Sequence, residues 1–366
     1  MTQNIIIIGQ GINAACTALE LSRRSSDFAI TMIADHRATN GAIASGASWG
    51  WVNAHTDHNE AYYRFRNSSR ALWHGLIWDY PQISARIQSS VVFDLPPEDI
   101  ENTAVEHAAW GYPVTAVSRT GVETILPQFR TPPDAALFTK GEVAVETEIV
   151  AGELAALSGA TQITAHVHGL IQEGGKLRGV MTDAGPQTAD HIILAAGHGT
   201  PALLGTIGIA YDLDQSFGLL VRTKPMMHWL DTMIMGPDYH IRQCIDGSLL
   251  IGGTFDANND TSRNVLDTAQ NLCRRVEANF DMPLGRQEHL EIARFSIGKR
   301  VLPKGGLPHI GPVGHHPNLF AMAMHGGVTN APLAATVCAD HIMGLQRRPE
   351  TLPFTFPPLE KEPSHV

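Results

Sequence analysis

The chain has 366 residues, 43% of them hydrophobic and 17% charged, and a formal net charge of −10 with histidine neutral. That length buries a sizeable core and suggests two domains. The acidic balance, with no Lys/Arg run, argues against a nucleic-acid-binding surface, because phosphate contacts need clustered cations. The four cysteines (Cys16, Cys244, Cys273, Cys338) stand far apart with no C-x-x-C pair, which argues against a zinc site or disulfide framework. With no export signal, they point to the cytoplasm. No stretch approaches the ~18–20 apolar residues of a membrane helix, so no membrane span is expected.

Ile5 to Ile8 form a β-branched run, the mark of a strand buried on both faces. Gly9-Gln10-Gly11-Ile12-Asn13-Ala14 follows at once. Ala15 to Arg24 then reads as a helix and Phe28 to Ala34 as a second strand, ending in Asp35 with His36 beside it. Strand, glycine turn, helix, strand and acid together predict a dinucleotide site. Gly9 permits the tight turn, Gly11 lets the backbone approach a diphosphate, and Ala14 is small enough for close helix–strand packing. The diphosphate rests on the helix N-terminus, and Asp35 stands where a carboxylate takes ribose hydroxyls, which disfavours a 2′-phosphate. An ordinary glycine turn would carry the same spacing, and the motif alone does not separate NAD from FAD.

Residues 41–51 are rich in small side chains and hold Ser45-Gly46-Ala47-Ser48, then Trp49 and Trp51. With this segment the chain resembles the D-amino-acid oxidase/glycine oxidase/sarcosine oxidase superfamily of flavoproteins. Such proteins carry an SGAS-like stretch beside the diphosphate and flavin. A second stretch, from Val145 to Gly197, resembles the adenine side of that family: a helix over Glu153 to Leu157, then strands over Thr161 to Ile171, Arg178 to Thr182 and His191 to Ala195. There a valine at the Val167 position contacts adenine through its backbone, and Ala195-Ala196-Gly197 closes over the dinucleotide.

The third stretch is Gly298 to Pro312, followed by Asn318 to Met324 and the turn His325-Gly326-Gly327-Val328-Thr329-Asn330 ahead of a helix over Pro332 to Met343. It is similar to the family's G-x-R-P-x-x-x-D-G-x-P-x-I-G segment, final strand, glycine turn and helix. Val301 replaces the usual Pro and Gly305 the usual Asp. Gly298 stands where sarcosine-oxidase-type members carry the cysteine that attaches flavin, so non-covalent FAD is expected.

The resemblance makes Arg300 a clamp for the substrate carboxylate, which suits a guanidinium fork; a structural ion pair is the competing reading. It puts the His325 to Asn330 turn at the flavin, where free N–H groups of the helix start favour negative charge. His240 and Arg242, on an expected antiparallel strand, are pocket candidates, with a solvated strand face the competing reading. His55 is a candidate because it follows the tryptophans. His55-x-x-His58, His166-x-His168 and His315-His316 lack matching ligands, so no metal is expected. No nucleophilic triad appears, and none is needed where a cofactor carries the chemistry.

The expected fold is α/β (α+β): a Rossmann-type FAD-binding domain over residues 1–85, 145–210 and 290–366, and a smaller substrate domain on an antiparallel sheet over 86–144 and 211–289. The implied function is oxidation of the C–N bond of a small amino acid or N-substituted glycine by hydride transfer to flavin N5. The imine hydrolyses, and O2 or another acceptor reoxidises the flavin. Glycine-type substrates rank first. An FAD-dependent dehydrogenase using another acceptor, an NAD-linked dehydrogenase and a non-catalytic flavoprotein remain open.

Overall fold

The computed structural model describes residues 2–35, 44–55, 59–255, 264–283 and 289–357. His36, His58, residues 41–43 and the tail beyond 357 lie outside the described residues. The chain divides into two compact units, residues 1–46, 147–216 and 300–366, and residues 47–146 and 217–299. The expected first segment ran through residue 85, and 290–299 was placed with it. Instead, Trp51–Val52 pairs with Val143 and Ala144, and Ala85–Val92 pairs along Ala135–Val145, which ties 47–92 to the second unit. Ile292–Lys299 pairs with Phe217–Thr223 in the same sheet. The two units are equal in chain length, so the second is not the smaller one.

The first unit is built on a six-stranded sheet in the order His309–Val313, His316–Ala323, His191–Leu194, Gln3–Ile8, Phe28–Ala34, Thr161–Thr164. All neighbours are parallel except the first pair. Ile5 to Ile8 are buried, as a strand covered on both faces requires. The first helix, Ile12–Arg24, turns Ala14, Ala15, Ala18 and Leu21 inward, and these small residues let it lie close to the last α-helix. That helix spans Gly327–Ile342, not Pro332 to Met343. Gly326, left-handed at φ 65°, starts it. Burial of every residue from Val328 to Asp340 carries the helix through Pro332, whose missing N–H costs one internal hydrogen bond. The expected strand over Thr161 to Ile171 is two strands, Thr161–Thr164 in the main sheet and Val167–Glu173 in a three-stranded meander.

The second unit is a nine-stranded sheet, antiparallel except where Thr232–Met235 runs parallel to Ala85–Val92. His240–Gln243 pairs antiparallel with Leu249–Thr254, as the alternating pattern predicts. A core of Val221, Ile234, Ile241, Ile251, Val276 and Phe280 lies under helix Asn264–Asn279. No helix among the described residues is long and apolar enough to cross a membrane.

Candidate active site

In the first unit, Ile8, Leu194 and Ala323 end adjacent parallel strands, with Leu194 in register with Ile8 and Ala321. The turns that follow them therefore leave the carboxyl edge of the sheet together, where such sheets bind ligands. These turns hold Gly9 and Gly11, Ala195 to Gly197, and His325 to Gly327. Gly9 has φ 131°, and a Cβ there would lie 2.4 Å from the Ala195 carbonyl oxygen. A Cβ on Gly11 would meet Ser45 Oγ at 2.9 Å. The Ile12 N–H, at the start of the first helix, donates to that Oγ at 3.0 Å, and Thr147 Oγ1 holds the Ser45 carbonyl at 2.7 Å. Ser45 is thus seated at the positive end of the helix.

Asn13 stands beside the start of the last α-helix: a Cβ on Gly327 would lie 3.2 Å from its Nδ2. Its buried Oδ1 has no hydrogen-bond partner among the described residues. Val328 and Thr329 are buried in the first turn of that helix, whereas His325 is exposed. A glycine cradle closed to side chains and two helix starts, whose N–H groups donate, fit a dinucleotide diphosphate. Gly46 ends the first piece of this unit, while Ala47 and Ser48 open the second unit. Asp35 closes the second strand with its Oδ2 3.2 Å from His166 Nδ1, a pairing that sequence reasoning missed. Val167 begins the strand next to that histidine.

Arg300 donates its N–H to Ser216 O at 2.8 Å, and its Nη1 lies 3.3 Å from Ser216 Oγ. It makes no ion pair with any carboxylate among the described residues, unlike the competing structural reading. Gly298 lies in the second unit, where a Cβ would sit 2.9 Å from both the Cβ and the carbonyl oxygen of Ala47. A cysteine there would force Ala47 to shift.

Elsewhere in the second unit, His240 covers Gly252 so closely that a Cβ there would lie 1.7 Å from its Nε2. Its ring meets Trp49 edge-on at 4.6 Å. Arg242 is not on a solvated strand face: it is 0% exposed. Its Nη1 and Nη2 reach the two oxygens of Glu146 at 2.8 and 3.3 Å, Nε donates to Trp49 O at 2.6 Å and Nη2 to Val145 O at 3.0 Å. This is a structural fork, not a substrate clamp.

His55 is held with its Nε2 3.1 Å from Thr139 Oγ1 and 3.4 Å from Glu142 Oε1. Burial, then His107 and Arg66, pushes its pKa down to about 3, so its ring is neutral at working pH. Glu142 is fully buried, accepts from Trp51 Nε1 at 2.5 Å and from the Tyr112 hydroxyl, and burial pushes it up to about 7 against those donors. The signal for it in the sequence was one carboxylate inside the otherwise apolar run Gly141-Glu142-Val143-Ala144-Val145.

These two shifts act on stability with opposite signs. The contribution of Glu142 is full below its ordinary 4.5 and is lost as pH rises through about 7. That of His55 is full above 6.5 and is lost as pH falls through about 3. Between 4.5 and 6.5 the two slopes, each about 1.4 kcal/mol per pH unit at most, cancel. Glu142→Gln should therefore gain stability relative to wild type as pH rises through that window, read from urea midpoints. A difference independent of pH refutes the assignment.

Residues 4–341 match the family model described as FAD dependent oxidoreductase. The glycine oxidase of Pseudomonas putida is 23% identical over 374 residues, covering 97% of this chain and 98% of that protein. The glycine oxidase of Pseudomonas aeruginosa is 24% identical over 378 residues, covering 98% and 99%. Among solved structures, iminodiacetate oxidase from Chelativorans sp. BNC1 superposes with TM-score 0.82 at 18% identity, covering 98% of this chain and 100% of that one. Glycine oxidase from Geobacillus kaustophilus gives TM-score 0.80 at 20% identity, covering 98% and 100%. These structures share the fold, and the family match extends over most of the chain: it belongs to the FAD-dependent oxidoreductases of the D-amino-acid oxidase type.

Proposed function

We propose that this enzyme oxidises the C–N bond of a small amino acid or N-substituted glycine to an imine that water hydrolyses, with O2 as terminal oxidant. The observation that carries the reading is Arg300, a guanidinium with a hydroxyl and no carboxylate in reach among the described residues. Arg300 is exposed, and a guanidinium with no carboxylate partner among the described residues suits a substrate carboxylate, which it would bind in bidentate fashion. The names of the relatives support the substrate class: they act on glycine or iminodiacetate.

Bound FAD supplies the two-electron acceptor. Gly9, Gly11, Ile12, Asn13, Ala14 and Ser45 would hold its diphosphate. Asp35 and Val167 would hold its adenosine side, with Ala195 to Gly197 and Gly326 to Thr329 closing the cradle. The close contact of Gly298 with Ala47 supports non-covalent attachment. His240, half-buried beside Trp49, would be a further substrate-side residue. His55, neutral, can exchange a hydrogen bond but is too weakly basic to hold a proton at working pH. The four free, buried cysteines agree with a cytoplasmic setting.

Arg300→Lys should keep its flavin and raise KM for a carboxylate substrate by at least about tenfold, because a point charge replaces a fork. An unchanged KM refutes the clamp. Peroxide released on air reoxidation supports O2 as oxidant; reoxidation only by a quinone assigns a dehydrogenase.

A further inference from the structure

We propose that Glu142 is a positioning residue, whose carboxyl fixes the Trp51 indole and the Tyr112 phenol and, through Trp51 and Trp49, sets the ring of His240. The proposal takes from the preceding reading that His240 borders the substrate.

The contacts form a continuous line within the second unit. Glu142 Oε2 accepts from Trp51 Nε1 at 2.5 Å, and Oε1 accepts from Tyr112, whose oxygen also takes the Ala54 N–H at 3.0 Å. Trp51 meets Trp49 edge-on, with ring centroids 5.4 Å apart and planes at 74°. Trp49 in turn meets His240 at 4.6 Å and 63°. His240 cannot retreat, because its other side covers Gly252. A shift of the Trp51 indole therefore reaches His240 through one intervening ring, that of Trp49.

A carboxylate at the root of this line adds a titrating element. Ionised, Glu142 only accepts, and its bond from Trp51 is charge-assisted. Protonated, it becomes a donor, with the Tyr112 and Ser90 hydroxyl oxygens and the neutral His55 Nε2 at 3.4 Å around it as acceptors. The proton thus removes the charge assistance from the bond to Trp51 and weakens the hold on its indole. The groups that face it are His55 and Trp51 from the segment after residue 50, Arg70 from helix Glu60–Asp79, Ser90 from strand Ala85–Val92, and Tyr112. His107 and Arg66 act in turn on His55. Burial places the change near neutral pH, since Glu142 titrates at about 7. Tyr112 stays protonated because burial and the glutamate both raise it.

The test uses the flavin-loaded enzyme. Tryptophan emission of the wild type should show a transition near pH 7. Trp51→Phe and Glu142→Gln should each abolish it while retaining flavin content. In Glu142→Gln, kcat/KM for glycine or N-methylglycine should fall about tenfold, the scale of one lost charge-assisted hydrogen bond, and its pH profile should lose the limb near 7. A wild-type emission free of the transition, or a transition unchanged in Glu142→Gln, overturns the proposal. If Glu142→Gln does not fold, Trp51→Phe decides: a transition that persists without the Trp51 indole overturns it. Should no amine reduce the wild-type flavin, the activity reading fails on its own, and the emission titration still decides the role of Glu142.

Discussion

Glu146→Ala should destabilise the enzyme by about 3–5 kcal/mol, the cost of leaving a buried charge without its partner. The charge in question is Arg242, at 0% exposure. Burial alone would raise the pKa of Glu146, but the Arg242 charge and hydrogen bonds outweigh it and hold the carboxylate below its ordinary range. The same carboxylate takes the Ile245 N–H at 3.2 Å and lies 3.4 Å from Arg86 and 4.0 Å from Arg222. Its removal therefore takes the shared carboxylate from Arg242 and Arg86, while Arg222 keeps Asp246 at 3.1 Å. Arg242→Met is the informative companion. It leaves Glu146 with two cationic neighbours and should cost less, although it also frees the Trp49 and Val145 carbonyls. Denaturant unfolding of both variants checks the order. A loss under about 1 kcal/mol for Glu146→Ala would contradict the network as described, since that is the range of exposed pairs.

Gly9→Ala should abolish retention of FAD through purification. Two effects act at one atom. The backbone stands at φ 131°, which L residues rarely adopt, and the new methyl would lie 2.4 Å from the Ala195 carbonyl oxygen. Neither neighbour can yield cheaply, because the Ala195 N–H is bonded to Ile8 O at 3.0 Å and the Gly9 N–H to Ile33 O at 2.9 Å. Relief requires moving the first strand against its parallel neighbour, which opens the turn that would carry the diphosphate. Backbone strain of this kind costs about 1–3 kcal/mol, so FAD affinity should fall by about 5- to 150-fold, as measured by titrating apoprotein with FAD. Affinity equal to wild type would remove Gly9 from the cradle.

Much of the first unit was legible in the sequence because its signals are local. The strand over Phe28 to Ala34 appears with those bounds, and the isoleucine run, glycine turn and helix follow one another as buried parallel strands require. What escaped is set by partners far along the chain. Nothing near Arg242 announces that Glu146 awaits it across the sheet, so alternation alone suggested a solvated face. The pairing of Asp35 with His166 is of the same kind. The last α-helix was placed five residues late because two glycines and a proline signal a turn locally, while complete burial overrides that preference. Residues 47–85 were assigned to the wrong unit for a similar reason, since strand pairing to 135–145, not composition, decides where they belong.

Anaerobic mixing of the purified protein with glycine, N-methylglycine, D-alanine, L-alanine and benzylamine, followed at the flavin absorbance, tests the central claim most directly. The account predicts a yellow protein whose flavin bleaches with at least one of the carboxylate-bearing amines, glycine or N-methylglycine foremost, and does not bleach with benzylamine. A flavin that no member of the panel reduces, or one reduced by benzylamine and not by the amino acids, would contradict it.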